Sequence, residues 1–337
     1  MESFQGKIIV SVTMITYNQE SYIKQAIEGV LMQVCDFGVE LIISDDNSND
    51  TTKEIVSDII KDHPNGHWIK YVKHSNNLGM IKNFLFSLNG AKGKYIALCE
   101  GDDYWTNPSK LQEQVDFMDI NNDCSMCYHS VRHRYMTNNM VDRIVGPKSS
   151  VNIKYTSEEF IKNKYARTVS LLIRSSVFQK VPKWPLDSPI GDYPLQMLCA
   201  LQGNIGYIGG EPMAVYRVGV SGSTNNGRFG TKEEQKRWMR KRLYNNKKSR
   251  DLFNENSDYK YHQIIKEQKQ KFSFGMLDQG LTNFNRFEML KLYKEYIPYP
   301  IKLERKYFRF WFRFLIGPKL FDSFKKKFNT TSANFKE

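Results

Sequence analysis

The chain has 337 residues, 40% of them hydrophobic, and a formal net charge of +13. That length buries one large or two modest cores, and no run reaches the ~18 apolar residues that a membrane-spanning helix needs. The charge is uneven: residues 1–231 hold 23 Lys and Arg against 24 Asp and Glu, whereas residues 232–337 hold 26 against 12. A neutral domain followed by a basic region is expected, and with no nucleic-acid motif beside the charge, no nucleic-acid partner. The five cysteines are odd in number and sparse, which argues for reduced thiols in a cytoplasmic setting. Residues 1–6 lack the charged and apolar regions of a secretory signal.

In chain order, short β-branched runs alternate with helix-period segments. Residues 7–14 read as a buried strand, and 21–32 as a helix with Ile23, Ala26, Ile27, Val30 and Leu31 on one face. Residues 40–44 form a second strand that stops at the Asp45-Asp46-Asn47-Ser48 cluster, and Asp50 or Thr51 can cap a helix over 53–61. A third strand follows over 68–73, a helix over 78–88, and a fourth strand over 94–98. This alternation predicts a parallel, doubly wound α/β sheet. Cys124 and Cys127 have zinc-knuckle spacing, but no second pair of similar spacing follows, so a partly buried strand is expected there. Further apolar runs cover 170–173 and 205–208, with a helix over 195–201. Residues 219–231 have the composition of a lid loop, and 231–247 and 259–271 read as basic helices.

Sheets of this kind bind ligands at the carboxyl ends of their strands. Three polar clusters fall at such ends: Thr16-Tyr17-Asn18, Asp45-Asp46-Asn47 and Asp102-Asp103. Two adjacent carboxylates after a strand offer hard oxygen ligands to Mg²⁺ or Mn²⁺, which share their other positions with phosphate and water. The alternative is a solvated acidic turn. Neither Gly-x-Gly-x-x-Gly after the first strand nor Gly-x₄-Gly-Lys-Ser/Thr is present, which excludes a dinucleotide Rossmann enzyme and a P-loop NTPase.

Taken in order, Val12-Thr13-Met14-Ile15-Thr16-Tyr17-Asn18, the turn at 44–51, Asn77-Leu78-Gly79 with Asn83, residues 93–98 with Asp102-Asp103, Gly191-Asp192-Tyr193-Pro194-Leu195, and Ala214-Val215-Tyr216-Arg217 resemble the family 2 glycosyltransferases. These are nucleotide-sugar enzymes of the GT-A fold, and the likeness covers the first ~220 residues. The resemblance implies a catalytic domain over 1–231, its nucleotide-sugar part about 1–105 and its acceptor part about 106–231. It implies that Tyr17 stacks on the nucleobase, that Asp46 meets a uracil edge, that Asp102 faces the ribose and that Asp103 holds a divalent metal. Asp192 matches the base that deprotonates the acceptor, although an aspartate before Tyr-Pro-Leu is also a good helix cap. Asn83 with Lys82 and Arg217 are candidates for the sugar or diphosphate, or else for loop and surface positions. Trp105 is either core or an acceptor platform.

Two departures qualify the likeness. Gly219 stands where many relatives carry a histidine ligand, which implies fewer protein ligands to the metal. Glu234 replaces the glutamine of the Gln-x-x-Arg-Trp motif of processive synthases, which favours addition of a single sugar. The expected reaction is inverting transfer from a UDP-sugar to a saccharide or lipid-linked saccharide in cell-surface polysaccharide synthesis. The alternatives are a sugar-1-phosphate nucleotidyltransferase and a non-catalytic nucleotide or carbohydrate binder. In the C-terminal segment 302–328, a helix sets Arg305, Arg309 and Arg313 on one stripe, with Leu303, Tyr307, Phe310, Trp311 and Phe314 opposite. That pattern suits an anionic membrane surface at the inner face of the cell membrane, or packing on the catalytic domain.

Overall fold

The computed structural model describes residues 7–136, 140–163, 166–179, 185, 187–189, 191–220, 230–297 and 305–318. The chain forms two compact units, residues 1–223 and 224–337. Most of the lid composition at 219–231, and residues 302–304 and 319–328 of the C-terminal segment, lie outside the described residues.

The first unit runs β1 (Ile8–Thr16), α1 (Ile23–Leu31), β2 (Gly38–Asp45), α2 (Thr52–Asp62), β3 (Ile69–Lys73), α3 (Met80–Asn89) and β4 (Tyr95–Leu98). It continues with β5 (Tyr104–Trp105), α4 (Lys110–Ile120), β6 (Cys124–His129), β7 (Val131–Tyr135), β8 (Arg143–Val145), β9 (Ile153–Tyr155) and α5 (Ser157–Asn163). β10 (Leu172–Arg174), α6 (Asp192–Gln202), β11 (Asn204–Ile208) and β12 (Ala214–Val218) complete it. The main sheet has the order β3-β2-β1-β4-β10-β6-β11-β9. β2 is buried along its whole length and β4 likewise, which is why these strands read as unbroken apolar runs rather than alternating ones. The predicted face of α1 enters the same core, with Ile23, Ala26, Ile27, Val30 and Leu31 all buried.

The parallel expectation holds for β1 through β4 and then fails. β10 runs antiparallel to both β4 and β6, and β9 runs antiparallel to β11. A second sheet, β5-β12-β7-β8, lies in the same unit, with β12 antiparallel to β5 and parallel to β7. Cys124 and Cys127 sit on β6, their thiols pushed up by burial to about 11 and about 12, which is structural rather than ligand chemistry.

β1 pairs with β2 on one side and β4 on the other. The chain turns outward in opposite directions from this pair, so a switch point opens at the carboxyl ends of β1 and β4.

The second unit is helical: α7 (Lys232–Asn256), α8 (His262–Gly280), α9 (Arg286–Tyr296) and α10 (Arg305–Ile316). Thr231 with Glu234 and Asn285 with Glu288 form reciprocal caps that fix the starts of α7 and α9. Leu243, Phe274, Leu277, Met289, Leu292, Phe310 and Phe314 share its core. The face of α10 expected to meet a membrane is therefore used internally: Phe310 is 1% exposed and stacks near Phe274 and Tyr293.

Candidate active site

The switch point is built by hydrogen bonds between strand ends. The Asp46 N–H donates to the Thr16 carbonyl at 2.9 Å, and the Gly101 N–H to the Ile15 carbonyl at 3.1 Å. Asn18, held at φ +51°, donates its N–H to Ser48 Oγ and accepts from the Asn49 N–H. Tyr17, between these anchors, is 47% exposed at the end of β1. Asp45 is consumed by its turn, accepting from the Ser48 N–H and the Tyr71 hydroxyl, and Asp50 accepts from the N–H groups of Thr52 and Glu20.

Asp46 is buried, and its two oxygens accept the N–H groups of Leu78 and Gly79 at 2.6 and 3.0 Å. It thus fastens the loop before α3 to the end of β2. Asn83 does not face the cleft as a nucleotide or sugar ligand would. Its Oδ1 accepts from Ser44 Oγ at 2.5 Å and its Nδ2 donates to the Ser44 carbonyl at 3.0 Å, so it braces α3 against β2.

After β4 the chain turns at Gly101, where a Cβ would lie 2.3 Å from Gln19 Oε1. The turn gathers Glu100, Asp102 and Asp103, whose carboxylate oxygens lie within 4.8 Å of one another. Asp103 is fully buried: one oxygen accepts the Arg217 N–H at 2.8 Å, and the other has no partner among the described residues. Asp102 and Glu100 are the partly exposed members. Burial pushes all three carboxyls up, reinforced by the neighbouring charges of Asp102 and Asp192 on Glu100, and of Asp102 and Glu100 on Asp103. Glu100 is pushed up to about 8.

Sequence reasoning assigned Glu100 no role. The signal was its position one glycine before Asp102, which a tight turn converts into proximity.

Arg217 is engaged within the fold as a clamp on the acidic turn. Its guanidinium donates to the Asp102 carbonyl at 2.6 Å and to Gln25 Oε1, and lies over the rings of Tyr22 and Tyr104. The pairing of β12 with β5 carries it there, so the second sheet fixes the acidic turn. Asp192 opens α6, with Gly191 as the N-cap, and its Oδ1 accepts the following N–H of Tyr193 at 2.8 Å. Its charge is the smallest of the influences that raise Glu100. Trp105 belongs to the core: it is buried, and its Nε1 donates to the Val169 carbonyl at 3.0 Å.

The family model for glycosyl transferase family 2 matches residues 11–181, which contain both strand ends and the acidic turn. The chain belongs to glycosyl transferase family 2. An uncharacterized protein of Mycobacterium tuberculosis is 34% identical over 209 residues, covering 62% of this chain and 58% of the relative. The chain thus matches less than two thirds of that relative's length. An Escherichia coli enzyme, the UDP-Glc:alpha-D-GlcNAc-diphosphoundecaprenol beta-1,3-glucosyltransferase WfaP, is 34% identical over 111 residues, 33% of this chain and 41% of that one.

Among solved structures, Staphylococcus aureus TarS 1–349 in complex with UDP-GlcNAc superposes with a TM-score of 0.52 at 16% identity, covering 85% of this chain and 84% of that one. The mannosyltransferase PcManGT of Pyrobaculum calidifontis, in complex with GDP-Man and Mn²⁺, gives 0.53 at 13% identity, covering 87% and 82%. The fold is GT-A, and residues 11–181 form its family 2 glycosyltransferase region. Membership in the family decides against the nucleotidyltransferase alternative.

Proposed function

We propose that the protein transfers one sugar, with inversion, from a UDP-sugar to a hydroxyl of a saccharide or lipid-linked saccharide, in the assembly of a cell-surface polysaccharide. The observation that carries this reading is the convergence of Glu100, Asp102 and Asp103 at the β1/β4 switch point of a family 2 chain. The complexes of TarS with UDP-GlcNAc and PcManGT with GDP-Man support a nucleoside-diphosphate donor. The WfaP name, with its diphosphoundecaprenol acceptor, supports a lipid-linked one.

Tyr17 offers an exposed ring for the base. Asp46 holds one backbone amide on each oxygen, and a carboxylate oxygen has a second lone pair for the base edge. The acidic turn fits a hard divalent cation, Mn²⁺ or Mg²⁺: three carboxyls crowd together, and a buried oxygen of Asp103 lacks a partner among the described residues. Asp102 and Asp103, the expected metal pair, would hold the ion together with Glu100, which the expected set did not include. When bound, the cation supplies Lewis-acid neutralisation of the departing diphosphate. Arg217 keeps the turn in shape by gripping the Asp102 carbonyl.

Asp192, at the start of α6, takes the proton from the acceptor hydroxyl as that oxygen attacks the anomeric carbon from the face opposite the leaving group. The test is release of UDP from a panel of UDP-sugars with Mn²⁺, using wild type, Asp192→Asn and Asp102→Asn. Turnover that persists unchanged in both variants would sink the assignment. Donor binding without any turnover would identify a non-catalytic binder.

A further inference from the structure

The helical unit carries large apolar side chains on its outside as well as in its core. On α10, Phe308, Phe312 and Leu315 are 61%, 54% and 64% exposed. Their spacing of four and then three residues sets them on one stripe. On α9, Phe287 is 80% exposed. The two helices are packed together: Tyr293 stacks on Phe310, and Arg286 donates to the Leu315 carbonyl at 2.8 Å. That bond brings the start of α9 to the end of α10, so Phe287, next to Arg286, lies in the neighbourhood of Leu315.

Single exposed apolar residues are ordinary, whereas a row of them marks a surface that something covers. The fold's own need is already met by the opposite side of α10, where Phe310 and Phe314 are buried. Charge selects the occupant. Residues 232–337 hold 26 Lys and Arg against 12 Asp and Glu, and Arg309 stands exposed beside the stripe. A second copy would bring the same positive excess against itself, so self-association through this face is opposed electrostatically. An anionic bilayer supplies both complements at once: acyl chains for the rings and phosphate headgroups for the basic side chains.

We infer that Phe308, Phe312 and Leu315 of α10, with Phe287 of α9, dock the protein on an anionic lipid surface. The inference extends the proposed lipid-linked acceptor, which resides in such a surface. It is measured without turnover, so it fails or stands separately from the catalytic reading.

The experiment sediments the full chain with vesicles of phosphatidylglycerol and phosphatidylcholine, and with phosphatidylcholine alone. Binding to the anionic vesicles is expected, with a loss of about tenfold or more on neutral vesicles or in high salt. Phe308→Ser with Phe312→Ser is expected to weaken anionic-vesicle binding by about tenfold or more at an unchanged melting temperature. Phe287→Ser, on the neighbouring helix, is a second variant in case the double change perturbs α10, with an expected loss of about threefold. A wild-type chain that ignores anionic vesicles overturns the inference, and so do variants that bind as tightly as wild type. Concentration-dependent dimerisation abolished by the double variant would also overturn it, in favour of a second copy.

Discussion

The two units break the ordinary distribution of side chains in opposite ways. In the catalytic unit, the acidic turn gathers a buried Asp103 with the half-buried Glu100 and Asp102, and one oxygen of Asp103 has no partner among the described residues. In the helical unit, Phe287, Phe308, Phe312 and Leu315 are exposed although the core behind them is full. Buried carboxylates seek a cation, and exposed rings seek an apolar phase. The proposed cation and the inferred lipid surface are each the chemical complement of one departure.

The comparison is tested most severely at Asp192. Asp192→Asn keeps the size and the local N–H contact but removes the base, so kcat is expected to fall by about 10²–10⁴-fold with little change in melting temperature. Equal loss of fold and activity would make Asp192 a structural residue. In the helical unit the matching experiment separates the two faces of α10. Phe310→Ala deletes a buried ring and is expected to cost about 3–5 kcal/mol, whereas Phe308→Ser on the exposed face should stay within about 0.5 kcal/mol. Urea unfolding followed by circular dichroism measures both. Similar costs for the two would mean that the exposed stripe belongs to the core.

A smaller effect sharpens the electrostatic side. Burial pushes the Glu100 carboxyl up to about 8 from its usual 4.5, and Asp102 and Asp103 are raised in the same direction. A raised carboxyl means the folded state binds more protons, so the Glu100 penalty is absent below about pH 4.5 and grows as pH rises to about 8, with Asp102 and Asp103 acting in the same direction. A divalent cation offsets the penalty. Saturating Mn²⁺ is therefore expected to raise the melting temperature more at pH 8 than at pH 5, by about 5 °C at the higher pH. Glu100→Gln should reduce that difference. A shift independent of pH would show that the cluster is not where the cation acts.

The nucleotide half of the fold was legible because its physics is local. Fully buried β-branched runs and amphipathic helices announce themselves, and β1 to β4 end within two residues of the boundaries read from sequence. Strand direction is a tertiary property: residues 172–174 look alike whether β10 runs parallel or antiparallel, so the reversal was invisible. The second sheet was missed because β5 has two residues and β8 three, below the length at which alternation can be seen.

Within the candidate site, Tyr17, Asp46, Asp102 and Asp103 were legible as polar groups at strand ends, while Asp192 came from the resemblance alone. Asn83 and Arg217 could not be placed, because a sequence does not show which polar groups the fold itself consumes. Here Ser44 takes the Asn83 amide, and the Asp102 carbonyl with Gln25 takes the Arg217 guanidinium. On α10, aromatic residues at nearly every second position place rings on both sides of a helix. The pattern alone did not say which side the fold keeps.

Lys110 gives the comparison its control, because it is a buried charge that calls for no ligand. It is fully buried, its ammonium lies 3.9 Å from the centre of the Trp105 ring, and it donates to Gln114 Oε1 at 2.6 Å. Burial lowers it to about 7 from its usual 10.5. A lowered base means the unfolded chain binds more protons between those values, so the folded state gains stability as pH rises from about 7 toward 10.5. Lys110→Met removes the buried charge but also leaves Gln114 Oε1 without its donor, a loss of about 1–3 kcal/mol that opposes the gain. The variant should therefore compare better with wild type at pH 6, where the charge penalty is largest, than at pH 9. Urea midpoints of both proteins at the two pH values measure this. A difference that does not change with pH would mean that Lys110 titrates as an ordinary lysine and that the cation–π and Gln114 contacts fully offset its burial. In the acidic turn, by contrast, one buried oxygen of Asp103 has no partner among the described residues, and that contrast supports its proposed role as a ligand.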